Sequence, residues 1–391
     1  MIRALSTLAF ALVVANPAAA QERTLVAADY AADAVALDTM VAFGYAYLDR
    51  FEGGVPPHSA ELDAERDAVH DADSLLHYAE DKLASLADHH AITGRSFRDD
   101  WAIVPSYSDL WVEPEGDAYR ITAVREDSPA AGAGIVAGDR LVAVGGVPVA
   151  DAVAAFWAPL GLLPEGDRLG YAARVLAAGR RDRPRSLTVA GADGRARTLE
   201  LPNLYTVEQR DRPPLTVTTA NDGTVIRFNN SVGDDAAVAA FDDAMAAIDP
   251  DSPVTIDLRD TPGGGNTVVA RAILGWFVTG PTGYQMHNLP LEERQTGVPR
   301  QWVEQVLPRA GKYHPGPVRV LVGRWTGSMG EGIAIGFAAM GKPVIGDRMA
   351  GLVGAVYDEA LPASGLVVKV PAERLMMIDG TPREDFVPAE E

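Results

Sequence analysis

"VRVLVGRWTGSMGEGIAIGFAAM", Val318 to Met340, is the stretch on which the reading of this chain turns. The apolar run "VRVLV" reads as a strand, and "IAIGFAAM" reads as the helix that follows it. Between them Ser328 sits on a strand-to-helix turn, with Gly327 before it and small residues beyond. Glycines let a backbone turn tightly and leave a serine Oγ uncovered, which is how a nucleophile is displayed. A serine at such a turn also serves simply as a helix cap. The strict hydrolase elbow Gly-x-Ser-x-Gly is half met: Gly330 fills the last place, but Thr326 stands in the first. A serine hydroxyl is inert near neutral pH until a base takes its proton. The rest of the chain must supply that base.

Working outward, strand-like and helical runs alternate from about Tyr205 onward. "TVIRFNN" leads to "DDAAVAAFDDAMAAI", "PVTIDLRD" leads through "TPGGGN" to "TVVARAILGWFV", and "KPVIGD" follows the Ser328 helix. Such alternation predicts an α/β core with parallel strand pairing. The turn "DLRDTPGGGN", Asp257 to Asn266, carries three glycines between a strand end and a helix start. It lacks a Lys-Ser pair and the dinucleotide pattern, so a phosphate loop is disfavoured. It suits either a flexible helix N-terminus or a set of backbone donors for an oxyanion.

Upstream the texture changes. From about Trp101 to Leu201 short strand-like runs with Gly and Asp turns dominate, including a hairpin around "ADG" and a short helix beginning at Ser128-Pro129. From Leu25 to about Asp88 the pattern is helical, with Leu75, Leu76, Tyr78, Leu83 and Leu86 on one side. The first residues, "MIRALSTLAFALVVANPAAAQ", combine a basic start, a short apolar run and a small-residue site, which reads as an export signal over residues 1–20. The apolar run is too short to span a bilayer. A soluble periplasmic or secreted protein is expected, not a membrane-embedded one.

Composition narrows the partners. The 391 residues carry 34 basic and 54 acidic side chains, a net charge of −20, which disfavours nucleic acid and anionic membranes. There is no cysteine, hence neither a disulfide framework nor a lipid-modified cysteine. The seven histidines lack ligand spacing and no HExxH occurs, so neither a metal nor another cofactor is called for.

Three segments in order, "DSPAAGAGIVAGDRLVAVGGVPV", "IDLRDTPGGGN" and "VLVGRWTGSMGEGIAIGFAAMGKPVIGDRMAG", resemble the carboxyl-terminal processing proteases, the S41 serine peptidases. The resemblance runs from roughly Leu83 to the C-terminus. It implies an α/β multidomain fold: an N-terminal helical region (21–100), a PDZ-like β-rich module (101–204) and a ClpP/crotonase-like α/β protease core (205–391). It further implies a polypeptide substrate, with homo-oligomers left open. The PDZ carboxylate loop would fall in "RDDWAIVPSYSDL", Arg98 to Leu110, where its usual sequence is not seen.

One departure is informative. Most relatives pair the serine with a lysine, but the matching segment here, "GDRMAGLVG", has Leu352 at that place. Lys312, Lys342 and Lys369 do not match the dyad position. A second branch, similar to the tricorn core proteases, uses a histidine upstream of the PDZ region. "LADHHA", Leu86 to Ala91, places His90 there, although on its own this pair reads equally as a polar helix end. Imidazole titrates near neutral pH and suits the task. The closing motif "DGTPREDFVPAE" puts Glu384 near the acidic position that would orient His90, with Glu331 as the rival. The resemblance thus implies Ser328, His90 and Glu384 as catalytic, with Met329, Gly263 and Gly264 supplying oxyanion donors. The competing expectation is a catalytically inactive peptide-binding or scaffold protein on the same fold.

Overall fold

The computed structural model describes residues 24–207, 212–220 and 223–390, and the expected export signal lies outside them. The core sheet has five strands in the order Val344–Gly346, Val318–Val322, Val254–Asp257, Gly223–Phe228 and Leu215–Ala220. The first four run parallel, and Leu215–Ala220 closes the edge antiparallel. Val254–Asp257, the middle strand, is buried at every residue, as a parallel strand covered on both faces must be. Helices Ala236–Ala246, Thr267–Leu274 and Met329–Ala339 flank it, and Phe228, Phe241, Ile256, Val320, Ile333 and Phe337 join in one cluster. Each such buried side chain contributes roughly 1.5–3 kcal/mol. The alternation read from the sequence is the observed one.

In an open parallel sheet the carboxyl ends of the strands bear the ligand. Two of those ends here continue into the turns singled out above. A parallel bridge between Thr261 and Thr326 extends the pairing past the strands and sets the glycine turn beside the serine turn.

The middle module is a six-stranded antiparallel sheet, Leu110–Glu115, Ala118–Val124, Arg140–Val144, Arg185–Ala190 and Ala196–Leu201, with Val147–Pro148 paired to its third strand. Ser128 caps the short helix Pro129–Gly132 by accepting from the Ala131 N–H. The hairpin expected around "ADG" joins the last two strands.

A second five-stranded antiparallel sheet went unforeseen. It orders Ile92–Thr93, Val367–Met376, Thr282–Asn288 and Gln301–Val306, with Ala355–Ala360 also paired to Val367–Met376. Its first strand begins two residues after His90 and pairs Ile92 with Lys369. The N-terminal helices Ala27–Gly44 and Ala72–Ala84 pack on this sheet: Leu37, Val41, Leu75 and Leu83 share a cluster with Leu361, Leu366, Val368 and Val370. The helical region is therefore built onto the C-terminal part of the chain. Likewise Trp325, Ala350 and Leu352 belong to the middle module's apolar cluster, and Trp325 Nε1 donates to the Ser108 carbonyl at 2.8 Å.

Candidate active site

Ser328 occupies the turn with φ 52° and ψ −113°, a left-handed conformation that costs a non-glycine residue about 1–3 kcal/mol. The surroundings hold it there. Thr326, in the place of the missing elbow glycine, is fully buried; its Oγ1 donates to the Leu258 carbonyl at 2.9 Å and receives the Gly323 N–H at 3.1 Å. The Ser328 N–H donates to Glu331 Oε2 at 2.8 Å. A side chain on Gly330 would run into Thr261 Oγ1, which explains the glycine two residues on.

The glycine turn lies against this serine. Gly264 has φ +65°, and a Cβ there would sit 2.8 Å from Ser328 Oγ and 3.4 Å from the Met329 nitrogen. Met329 opens the helix, so its N–H is one of the donors no intrahelical carbonyl can satisfy. The expected donor Gly263 needs correction: its N–H is taken at 2.9 Å by Oδ1 of Asn230, a residue the sequence reading did not single out. The Gly264 N–H closes its own turn on the Thr261 carbonyl at 3.2 Å, long enough to be shared.

His90 follows the helix Ala72–Ala84 through a turn in which Ala87 takes φ 48°. Its backbone N–H donates to Asp88 Oδ1 at 2.9 Å, and its ring Nδ1 lies 2.8 Å from the Val353 carbonyl oxygen. Desolvation holds the imidazole below the usual histidine range; the Val353 hydrogen bond and the Asp88 charge oppose this, and Arg383 adds to it. The ring is neutral at pH 7, the form that accepts a proton.

Val353 follows Leu352, the place of the relatives' lysine. Leu352 is buried, and its Cδ1 would stand 3.2 Å from a Cβ on Gly327. That position therefore does reach the Ser328 turn, but with an apolar side chain. Lys312 and Lys369 are tied instead to Asp242 at 2.9 Å and Asp358 at 2.7 Å. Glu331 connects the two turns: Oε2 takes the Ser328 N–H, and Oε1 takes the Gly351 N–H at 2.8 Å. Burial pushes its carboxyl up to about 7 despite those two donors and Arg383. Among the described residues no direct hydrogen bond joins the His90 ring to Ser328; the segment Gly351–Val353 links their surroundings.

Glu384 is not the group on His90 Nδ1. It sits in the turn Arg383–Asp385, where Arg383 faces inward, and it lines a cavity of about 800 Å³ with Asp88, Arg174 and Val353. Among the described residues its Oε2 is buried without a hydrogen-bond partner, and burial raises its pKa. A main-chain carbonyl has no sequence signature, so Val353 was invisible to motif reading, as was Asn230. Among the described residues no group of three or more His, Cys, Asp or Glu side chains is arranged to hold a metal ion.

A strained serine at a strand-to-helix turn, a glycine turn against its Oγ and a neutral histidine held by the segment Gly351–Val353 are the parts that a serine-hydrolase site requires. Residues 226–386 match the model of peptidase family S41, and residues 120–155 match that of a PDZ domain. The two matches follow one another in the order that the motifs implied. Two solved structures share the fold across almost the whole length. The photosystem II D1 C-terminal processing protease is 16% identical, with a TM-score of 0.56, covering 93% of each chain. Mature CPAF complexed with lactacystin is 14% identical, with a TM-score of 0.57, covering 93% of this chain and 94% of that one. No curated protein sequence matches.

Proposed function

We propose that this chain is an exported serine endopeptidase that cleaves unfolded or C-terminally recognised polypeptides through an acyl-enzyme. Ser328 Oγ attacks the scissile carbonyl while His90 Nε2 takes its proton. The oxyanion that forms is met by the Met329 N–H at the helix N-terminus and by the Gly264 N–H. Collapse breaks the C–N bond, and His90 returns the proton to the leaving amine. A water then repeats the sequence on the acyl-serine, with His90 again as base. The Val353 carbonyl performs the orienting task that an acidic residue performs in a Ser-His-Asp triad. A groove of about 1350 Å³ between the middle module and the core supports an extended polypeptide substrate. It is lined by Ser106, Arg125, Gly132 and Asn230 and reaches Gly263.

The observation that carries this reading is the His90–Val353 contact in the very segment whose Leu352 packs on Gly327 and whose Gly351 shares Glu331 with Ser328. A second reading, an inactive peptide-binding protein on the same fold, draws on the occupied Gly263 N–H and the missing His90–Ser328 hydrogen bond. A fluorophosphonate probe separates them. Wild-type protein should gain one adduct on Ser328 by intact mass and peptide mapping, and Ser328→Ala should gain none. Unlabelled wild-type protein would favour the binding role. Export is tested apart from this, by the N-terminus of the mature protein, expected near Gln21.

A further inference from the structure

Arg383 is 1% exposed, and its hydrogen bonds go to groups beside the proposed chemistry. Nη2 donates to the Leu352 carbonyl at 2.6 Å and to the Gly354 carbonyl at 3.1 Å. These are the two neighbours of Val353, whose own carbonyl serves His90. The same nitrogen lies 3.7 Å from Glu331 Oε2, and both side chains are 1% exposed. Glu331 in turn holds the Ser328 and Gly351 N–H groups.

Burying a guanidinium and a carboxylate together is expensive, and well-packed apolar residues often hold a fold as well or better. What the pair supplies here is geometry. One terminal nitrogen, Nη2, reaches both carbonyls at once, and the rigid, delocalised guanidinium behind it carries a charge that an ammonium cannot spread in the same way. The carbonyls at 352 and 354 meet Arg383 while the one between them meets His90, so turning this segment would unseat the histidine. Shifting Glu331 would move the Ser328 N–H. One side chain therefore bears on both partners.

We propose that Arg383 is a positioning residue: by holding the carbonyls on either side of Val353 and the Glu331 carboxylate together, it sets nucleophile and base in register. This rests on the reading in which His90 is the base of Ser328. The charged groups facing the imidazole are Asp88, from its own loop, and Arg383, from the C-terminal turn; the segment Gly351–Gly354 presents main-chain groups and the apolar Leu352 and Val353. Removing the Arg383 charge takes away one of the two influences that lower the His90 pKa, desolvation being the other, so the pKa rises and the proton-accepting form appears only at higher pH.

The test compares wild type, Arg383→Met and Arg383→Lys as full chains. It measures kcat, KM and the pH profile on unfolded casein, and the His90 ring titration by NMR. Arg383→Met is expected to lower kcat by about tenfold or more with KM within about threefold, and to move the acid limb of kcat/KM upward. Arg383→Lys is expected to return the limb to its wild-type place while recovering only part of kcat, a split that a purely structural role would not give. Wild-type kcat and limb in Arg383→Met, or a loss confined to KM with an unmoved limb, overturns the proposal. If Arg383→Met does not fold, Arg383→Lys decides alone, since wild-type kcat in that variant removes the need for a guanidinium. The NMR titration needs no turnover. Should wild type prove inactive, the peptidase reading falls, and an unmoved His90 pKa in Arg383→Met, or in Arg383→Gln if that variant does not fold, separately overturns the positioning role.

Discussion

The Val353 carbonyl oxygen stands 2.8 Å from Nδ1 of His90. A carbonyl only accepts, so this contact fixes the proton on Nδ1 and leaves the lone pair on Nε2. Desolvation keeps the ring neutral. Nitrogen NMR of the histidines should therefore find His90 as the Nδ1–H tautomer, titrating below the ordinary histidine value of about 6.5. A ring protonated on Nε2, or one titrating above that value, contradicts the arrangement.

Gly264 approaches Ser328 closely, since a Cβ there would lie 2.8 Å from Ser328 Oγ at φ +65°. Gly264→Ala adds both backbone strain of about 1–2 kcal/mol and a displaced Oγ. Misplacement of a reacting atom on the ångström scale costs about 100-fold. The variant should lose about that much kcat while its melting temperature falls by only a few degrees. Near-wild-type turnover would show that the glycine turn does not border the reacting atoms.

Leu352 lies buried with Trp325 and Ala350. A lysine there must desolvate its ammonium, which depresses its folded-state pKa below the unfolded value of about 10.4. The unfolded chain then holds the extra proton, so the penalty is full at neutral pH and shrinks as pH rises toward 10. Leu352→Lys should cost about 3 kcal/mol of unfolding free energy at pH 7 relative to wild type. Denaturant melts at pH 7 and pH 9.5 read this directly. An equal loss at both values would mean that the position is not desolvated.

Much of the core was legible because its signals are local. Branched apolar runs such as Val318–Val322, and glycine turns such as Gly263–Gly265, announce a parallel α/β sheet and its carboxyl-end turns within a few residues. The helical face of Leu75, Leu76, Tyr78, Leu83 and Leu86 was equally plain, and all five are buried. The second sheet was not. Thr282–Asn288 and Gln301–Val306 are separated by a short helix, and the two-residue strand Ile92–Thr93 is too short for any period to register. That strand is what carries His90 toward the site, so the residue was chosen by resemblance, while its Val353 partner lay beyond motif reading. Glu384 was placed on the wrong group because the motif specifies an acid in the turn, whereas the fold turns Arg383 inward and leaves Glu384 facing the cavity.

The proposed peptidase depends on Ser328 and His90 acting as one unit, and the decisive measurement is kcat/KM of His90→Ala against wild type and Ser328→Ala. Members of such a unit are not additive, so removing either should cost nearly the same, about 1000-fold or more. The wild-type profile should rise through a pKa at or below the ordinary histidine range, and that limb should vanish in His90→Ala. If His90→Ala keeps near-wild-type kcat/KM while Lys342→Ala or Lys369→Ala abolishes it, the base is a lysine and the pairing of Ser328 with His90 is wrong.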